Sequence, residues 1–194
     1  MVSMAALANP FVAILDGGDS LGDVATTMSV CRYSDLAGLV ADEAALAVLV
    51  DDGDRAVYRV AKPASSQFGD ELRFAVTTIE SGVIGEELHM TKGHLHVLPR
   101  AEMYVGLEGL GGVLLSDFQR VRWLELRPRS IVTIPPGWAH RAVNVGHERL
   151  RFIAIYPQDA GTDYATVAAR GLGARVVRHG DGYRVLGGDD LELT

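Results

Sequence analysis

The chain is nearly devoid of cysteine: Cys31 is the single one in 194 residues. An intrachain disulfide and a thiolate metal cluster are both excluded on that count. A lone thiol with no histidine close by in the sequence reads as a small buried apolar residue. Positive charge is also scarce, with 18 Lys and Arg against 25 Asp and Glu and a net charge of -7. A surface of that sign does not neutralise polyphosphate backbones or anionic lipid, so neither nucleic acid nor a membrane is an expected partner. A small phosphorylated molecule in a cleft stays compatible, because a few local donors outweigh the mean field there. Long apolar runs are missing too. The stretch 36–50 is broken by Asp42 and Glu43, well short of a membrane span. Residues 1–15 are apolar, but no basic segment precedes them and Pro10 interrupts the run. They read as a packed or loosely ordered N-terminus, not a signal peptide, and a cytoplasmic location is the default expectation.

What is present is ordinary for a globular domain: 48% hydrophobic and 22% charged residues, in a length that suits one domain better than two. The text changes character near Asp51. Before it, Glu43-Ala44-Ala45-Leu46-Ala47-Val48-Leu49 favours helix, with Ser34 or Asp35 as a candidate cap. After it come short β-branched and aromatic runs at 56–60, 74–79, 103–107, 112–115, 131–134 and 152–156. Gly, Pro and Asp separate them, the pattern of a sandwich or barrel. Residues 62–70, polar and containing Pro63, read as a loop. A short helix is expected at 164–170, then a hairpin of 175–178 and 183–186 across His179-Gly180-Asp181-Gly182.

Four residues carry the chemistry: His94 and His96 in Gly93-His94-Leu95-His96, then Glu102, then His140. Side chains two apart on a strand share a face, so both imidazoles can reach one ion. Glu102 opens the next apolar run. His140 follows the turn signal Pro135-Pro136-Gly137. Imidazoles with a carboxylate suit Fe, Mn, Ni or Zn and lack the thiolates of a closed structural zinc site. Each piece alone has a bland reading as a surface histidine, a solvated glutamate or a plain turn. In this order and spacing they point to a metal site. His89, His147 and His179 fall outside the set and read as surface residues.

These residues resemble the cupins, whose first motif is His-x-His-x(3,4)-Glu-x6-Gly and whose second is Pro-x-Gly-x-x-His-x-x-x-Asn. Pro135, Gly137, His140 and Asn144 meet the second in full. His94, His96, Glu102 and Gly109 meet the first, except that five residues separate His96 from Glu102. The chain is most similar to one branch, the cupin-type glucose-6-phosphate isomerases of archaea and some bacteria, in which that gap is also long. The resemblance covers roughly 56–171. It is carried by Thr91-Lys92-Gly93-His94-Leu95-His96, Arg100-Ala101-Glu102-Met103-Tyr104-Val105, Pro135-Pro136-Gly137-Trp138-Ala139-His140-Arg141 and the run 156–164.

The resemblance implies an all-β fold: a cupin double-stranded β-helix (jelly-roll) barrel at 51–160, with a partly helical N-terminal extension at 1–50. A C-terminal helix and hairpin at 161–194 would pack on the barrel. It implies one divalent transition metal, Fe2+ or Mn2+ first and Ni2+ or Zn2+ next, held by His94, His96, Glu102 and His140. The substrate implied is a phosphorylated hexose, in glycolysis and gluconeogenesis. Thr77, Thr91, Gly93 and Tyr156 match the positions that hold its phosphate, and Tyr58 and Tyr104 those that line the sugar. Glu102 is the matching candidate base, and an enediol route and a metal-assisted hydride shift both stay open. Thr162 stands where the family commonly has a histidine, so its group cannot titrate near neutral pH. Lys92 and Arg141 flank two ligands, but alternation points them off the metal face. Exposed sheet edges predict a homodimer. A cupin oxygenase, a sugar-phosphate isomerase of other specificity and a non-catalytic metabolite binder are the competing expectations.

Overall fold

The computed structural model describes residues 10–15, 17, 18, 20–64 and 72–187, and the backbone of 191–193. Its elements run β1 (Thr26–Arg32), a 3-10 turn (Tyr33–Leu36), α1 (Glu43–Asp51), β2 (Ala56–Pro63), β3 (Leu72–Ile79), β4 (Val83–Ile84) and β5 (Glu87–Leu88). Then come β6 (Glu102–Glu108), β7 (Gly111–Ser116), β8 (Val121–Leu126), β9 (Ile131–Ile134), β10 (Ala139–Asn144) and β11 (Leu150–Pro157). A 3-10 turn (Gln158–Ala160), α2 (Tyr164–Arg170), β12 (Ala174–His179), β13 (Gly182–Gly187) and β14 (Leu191–Leu193) close the chain.

A six-stranded sheet of order β1-β2-β3-β11-β6-β9 packs against a four-stranded sheet of order β10-β7-β8-β14. Between them they form the cupin jelly roll, and a small third sheet, β13-β12-β5-β4, lies outside. Two apolar cores follow from strand alternation. Val113 and Leu115 of β7 point inward with Ile79, Ile134 and Phe152, while Leu114, between them, points outward with Leu46, Leu88 and Trp123. Every residue of β7 and of β10 is buried, so these strands have apolar neighbours on both faces. Each large side chain so buried contributes about 1.5–3 kcal/mol.

The segment before β6 is tied to β10 by backbone bonds, His94 N to His140 O at 3.0 Å and His140 N to His94 O at 2.9 Å. Asn144, the last residue of the second motif, is fully buried. Its side-chain amide donates to Ile79 O (3.0 Å) and Glu148 O (2.8 Å), and its oxygen accepts from Gly146 N (2.9 Å). This motif position clamps the turn after β10 to β3; it has no contact with the metal-ligand candidates. Asn144→Ala strands those partners, and we expect a loss of about 2–4 kcal/mol, read as a lower denaturant midpoint with the metal site still able to form.

Several expectations are corrected. Among the described residues of the N-terminal region helix is confined to α1 and one 3-10 turn, and a strand, β1, precedes them and pairs with β2 from Thr26↔Pro63 to Arg32↔Ala56. The cap of α1 is Asp42, which accepts from Ala45 N at 2.8 Å. Asp35 instead accepts from Arg32 N at 2.9 Å, and Ser34 donates to Asp54 at 2.7 Å. Lys62 and Pro63 belong to β2, not to a loop; residues 65–70 lie outside the described residues, as do 1–9. Histidine 89 is not a surface residue: His89 is 2% exposed, its Nε2 is 3.1 Å from Tyr33 Oη, and its Nδ1 is 3.0 Å from Glu80 O. His147 and His179 are exposed and Cys31 is buried. Burial pushes the Cys31 thiol up to about 11.

Candidate metal centre

His140 sits on β10 with Ala142 on the inward face, and Glu102 opens β6, paired across the ladder with Ile134. His94 and His96 do not lie on a regular strand. His94 and Leu95 make single bridges, to His140 and Asp163. The local bend comes from Gly93, at φ +77, where an added Cβ would stand 3.1 Å from His140 O and 3.2 Å from the Arg141 side chain. Gly93→Ala would strain this backbone and push His94 from β10. A destabilisation of about 1–3 kcal/mol is expected, together with weaker divalent-cation binding, both measurable by thermal melting with and without Mn2+.

All four ligand atoms lie within 4.8 Å of one another. Glu102 Oε2 is 2.9 Å from His140 Nε2, 3.2 Å from His96 Nε2 and 3.8 Å from His94 Nε2. The far nitrogens fix the rings. His96 Nδ1 is 2.8 Å from Arg100 O and His140 Nδ1 is 3.1 Å from Trp138 O. A carbonyl only accepts, so both Nδ1 atoms donate and both Nε2 atoms turn lone pairs toward Glu102. Arg100 is itself held by Asp159, with its Nε at 3.0 Å and its Nη2 at 2.6 Å from the carboxylate.

The result is a buried cluster with more lone pairs than donors. Glu102 Oε2 and His140 Nε2 have no hydrogen-bond partner, a costly state in a dry interior. A proton or a cation can relieve it. Burial raises the Glu102 carboxyl, but when the His140 and His96 rings carry protons toward it they outweigh burial and lower it. Burial, then the His140 ring, lowers His94 to about 3, so this ligand is neutral and ready. Burial also lowers His96, but Glu102 and the Arg100 carbonyl prevail and raise it above its ordinary 6.5. The four residues thus fit one divalent cation.

Three members of the cluster, His94, His96 and Glu102, lie in the wall of a cavity of about 350 Å3, a size typical of small-molecule sites. The structure brings every sequence-predicted site residue but one to this cavity; His140, 1% exposed, stands behind the wall with its Nε2 2.9 Å from Glu102. Tyr58 from β2, Thr77 from β3 and Tyr104 from β6 line it, as do Thr91 and Gly93 from the segment before the ligands and Tyr156 from β11. Thr162 reaches it from the chain after β11. That chain is fastened by Arg100–Asp159, by Leu98 N to Ala160 O (3.0 Å), and by Asp163 N to Leu95 O (2.8 Å). Sequence reasoning missed Ser29, Lys62, Gln158 and Tyr164 in the lining. The ring of Tyr164 is 5.8 Å from that of His94. Period-two spacing from Tyr58 through Val60 was the signal for Lys62. Lys92 lies in the cavity wall, its Nζ 3.6 Å from Asp35, whereas Arg141 faces away and donates to Lys92 O at 2.7 Å.

The family model described as glucose-6-phosphate isomerase matches residues 30–190. The chain belongs to the glucose-6-phosphate isomerase family. Among curated relatives, the glucose-6-phosphate isomerase of Pyrococcus furiosus is 42% identical over 160 residues, covering 81% of this chain and 85% of that one. The glucose-6-phosphate isomerase of Thermococcus litoralis is 43% identical over 151 residues, covering 77% and 80%. Among solved structures, an oxalate oxidase overlaps 57% of this chain and 56% of its own at 16% identity and TM-score 0.45. The family match spans all four cluster residues and all seven further residues predicted for the site.

Proposed function

We propose that this chain is a metal-dependent aldose–ketose isomerase that interconverts glucose 6-phosphate and fructose 6-phosphate. The observation that carries the reading is one cavity lined both by three members of a four-ligand cation cluster and by a set of hydroxyl donors, in a chain 42% identical to an isomerase of that name over 81% of its length. His94, His96, Glu102 and His140 would hold the cation, Fe2+ or Mn2+ first as the family resemblance implies, with Ni2+ and Zn2+ also suited to imidazole and carboxylate donors. When bound, it supplies Lewis acidity to adjacent sugar oxygens.

The remaining roles belong to the chain. Thr77, Thr91 and Tyr156 offer hydroxyls, and Gly93 a backbone N–H unshielded by a side chain, as phosphate donors. Tyr58 and Tyr104, in the same cavity wall, line the sugar. Thr162 takes a place in the wall as a hydrogen-bonding group with no proton to give near neutral pH. Glu102 is a ligand and the candidate base for hydrogen movement between the two sugar carbons. A coupled assay on both hexose phosphates, with and without chelator, tests the reading: turnover lost on chelation and restored by Mn2+ or Fe2+ is expected. Metal-loaded protein inert toward both would overturn it, and oxygen consumption would mark an oxygenase instead.

The same reading makes the chain a homodimer. β1 is an edge strand, and Met28 and Val30 on it are 39% and 42% exposed; pairing of subunits covers such edges. Light scattering at micromolar concentration is expected to give about twice the 20.8 kDa chain mass, and a clean monomer mass would refute it. Among the described residues no helix is long and apolar enough to cross a membrane.

A further inference from the structure

Three inward-facing rows end together at one mouth of the barrel. On β2 the row is Tyr58, Val60, Lys62; on β3 it is Thr77, Ala75, Arg73; on β11 it is Phe152, Ala154, Tyr156. Arg73 and Tyr156 are direct partners across the β3–β11 ladder. A second cavity of about 300 Å3 opens here, lined by Arg73, Phe74, Lys62, Tyr156 and Gln158, of which the last three also line the first. Among the described residues, Lys62 and Arg73 have no hydrogen-bond or ion-pair partner. Two cations without a partner among the described residues are thus turned into one small cavity on a protein of net charge -7, a local field opposite to the average one. The first cavity alone is large enough for a hexose monophosphate, whose phosphate would meet the neutral donors Thr77, Thr91, Gly93 and Tyr156. Arg73 lies beyond that point, and Lys62 stands on the border between the two cavities.

We propose that Lys62 and Arg73 form a second anion subsite, which takes the outer phosphate of a sugar carrying two phosphates while the rest of that sugar occupies the inner cavity. Such a bisphosphate is then a competitive ligand of the isomerase site, gripped at its outer end by the planar Arg73 fork and the Lys62 ammonium. The proposal rests on the isomerase reading for the contents of the inner cavity.

Calorimetry with metal-loaded protein tests it, using fructose 6-phosphate and fructose 1,6-bisphosphate as probes. Wild type is expected to bind the bisphosphate about tenfold more tightly than the monophosphate, with that preference shrinking as salt is raised. In the Arg73→Gln variant, whose side chain lines only the outer cavity, the preference should vanish, while monophosphate affinity stays within about twofold. Arg73 is partly exposed, and an unchanged melting temperature confirms that the variant folds. Equal affinity for the two sugars in wild type would overturn the subsite. So would a variant that loses monophosphate affinity by the same factor, since the cations would then serve the single phosphate. The preference seen in a protein with no turnover refutes the isomerase reading and leaves the subsite standing; turnover without the preference does the reverse.

Discussion

The His94→Ala/His140→Ala double variant is expected to come off purification without metal and with isomerase turnover reduced by a factor on the order of 10² or more. Loss of a group that merely orients a metal ligand costs about 10–100-fold, and here two of the ligands themselves are gone. The melting temperature reports the same event without any assay. A cation present at about a thousandfold above its Kd stabilises the folded state by about 4 kcal/mol, roughly 8–16 °C for a chain of this size. Wild type should show that gain on adding Mn2+ after chelation, and the double variant should show none. Metal retained by the double variant would sink the site. Acid should act on the wild type in the same direction. His96 titrates above 6.5 in the metal-free protein, and only its neutral form binds a cation. Affinity is therefore full at alkaline pH and falls as pH drops through the raised His96 value. His94, at about 3, offers no competing proton over that range.

Glu102→Gln is expected to separate the two duties given to this residue. The amide keeps the size and one ligating oxygen but loses charge and basicity. If the carboxylate moves the proton, turnover falls by a factor on the order of 10² or more with metal and phosphosugar binding largely kept. If it serves as a ligand, metal and turnover fall together and excess Mn2+ restores much of both. The geometry gives weight to the ligand duty. The Glu102 Oε2 already faces three imidazole nitrogens within 3.8 Å. Metal content and turnover need measuring on one sample. Unchanged turnover at full occupancy would remove Glu102 from catalysis.

The barrel was legible in the sequence wherever a run was apolar enough to be buried on at least one face. Residues 74–79, 112–115 and 152–156 fall within β3, β7 and β11, and the expected helix at 164–170 coincides with α2. β1 was not legible, because an edge strand with only Cys31 buried has a polar text, Thr-Thr-Met-Ser-Val-Cys-Arg. β8 was missed although Val121, Trp123 and Leu126 are buried, since Arg122 and Glu125 break the apolar run. β4 and β5 are two residues each, too short to show a period. The cluster was legible as a set because two motifs fix its members, but its local form was not. Strand alternation was the expected reason for pairing His94 with His96; the real one is the bend at Gly93 and the bridge to β10. His89 was misread for a related reason. Nothing local shows that Tyr33, distant in sequence, supplies a buried partner.

The backbone bonds exchanged between His94 and His140 bear on how the protein folds. Sequence separation between the two halves of the ligand set means that most of the barrel must close before the second half arrives. Long-range pairing of this kind is slow and late. An unfolded chain therefore presents to a cation only the His94–His96 pair, a weak chelate, and the ion cannot act as an early template. Its stabilisation should appear almost wholly in the unfolding rate, with refolding nearly indifferent to added metal. Once occupied, the centre becomes a kinetic latch on the native barrel.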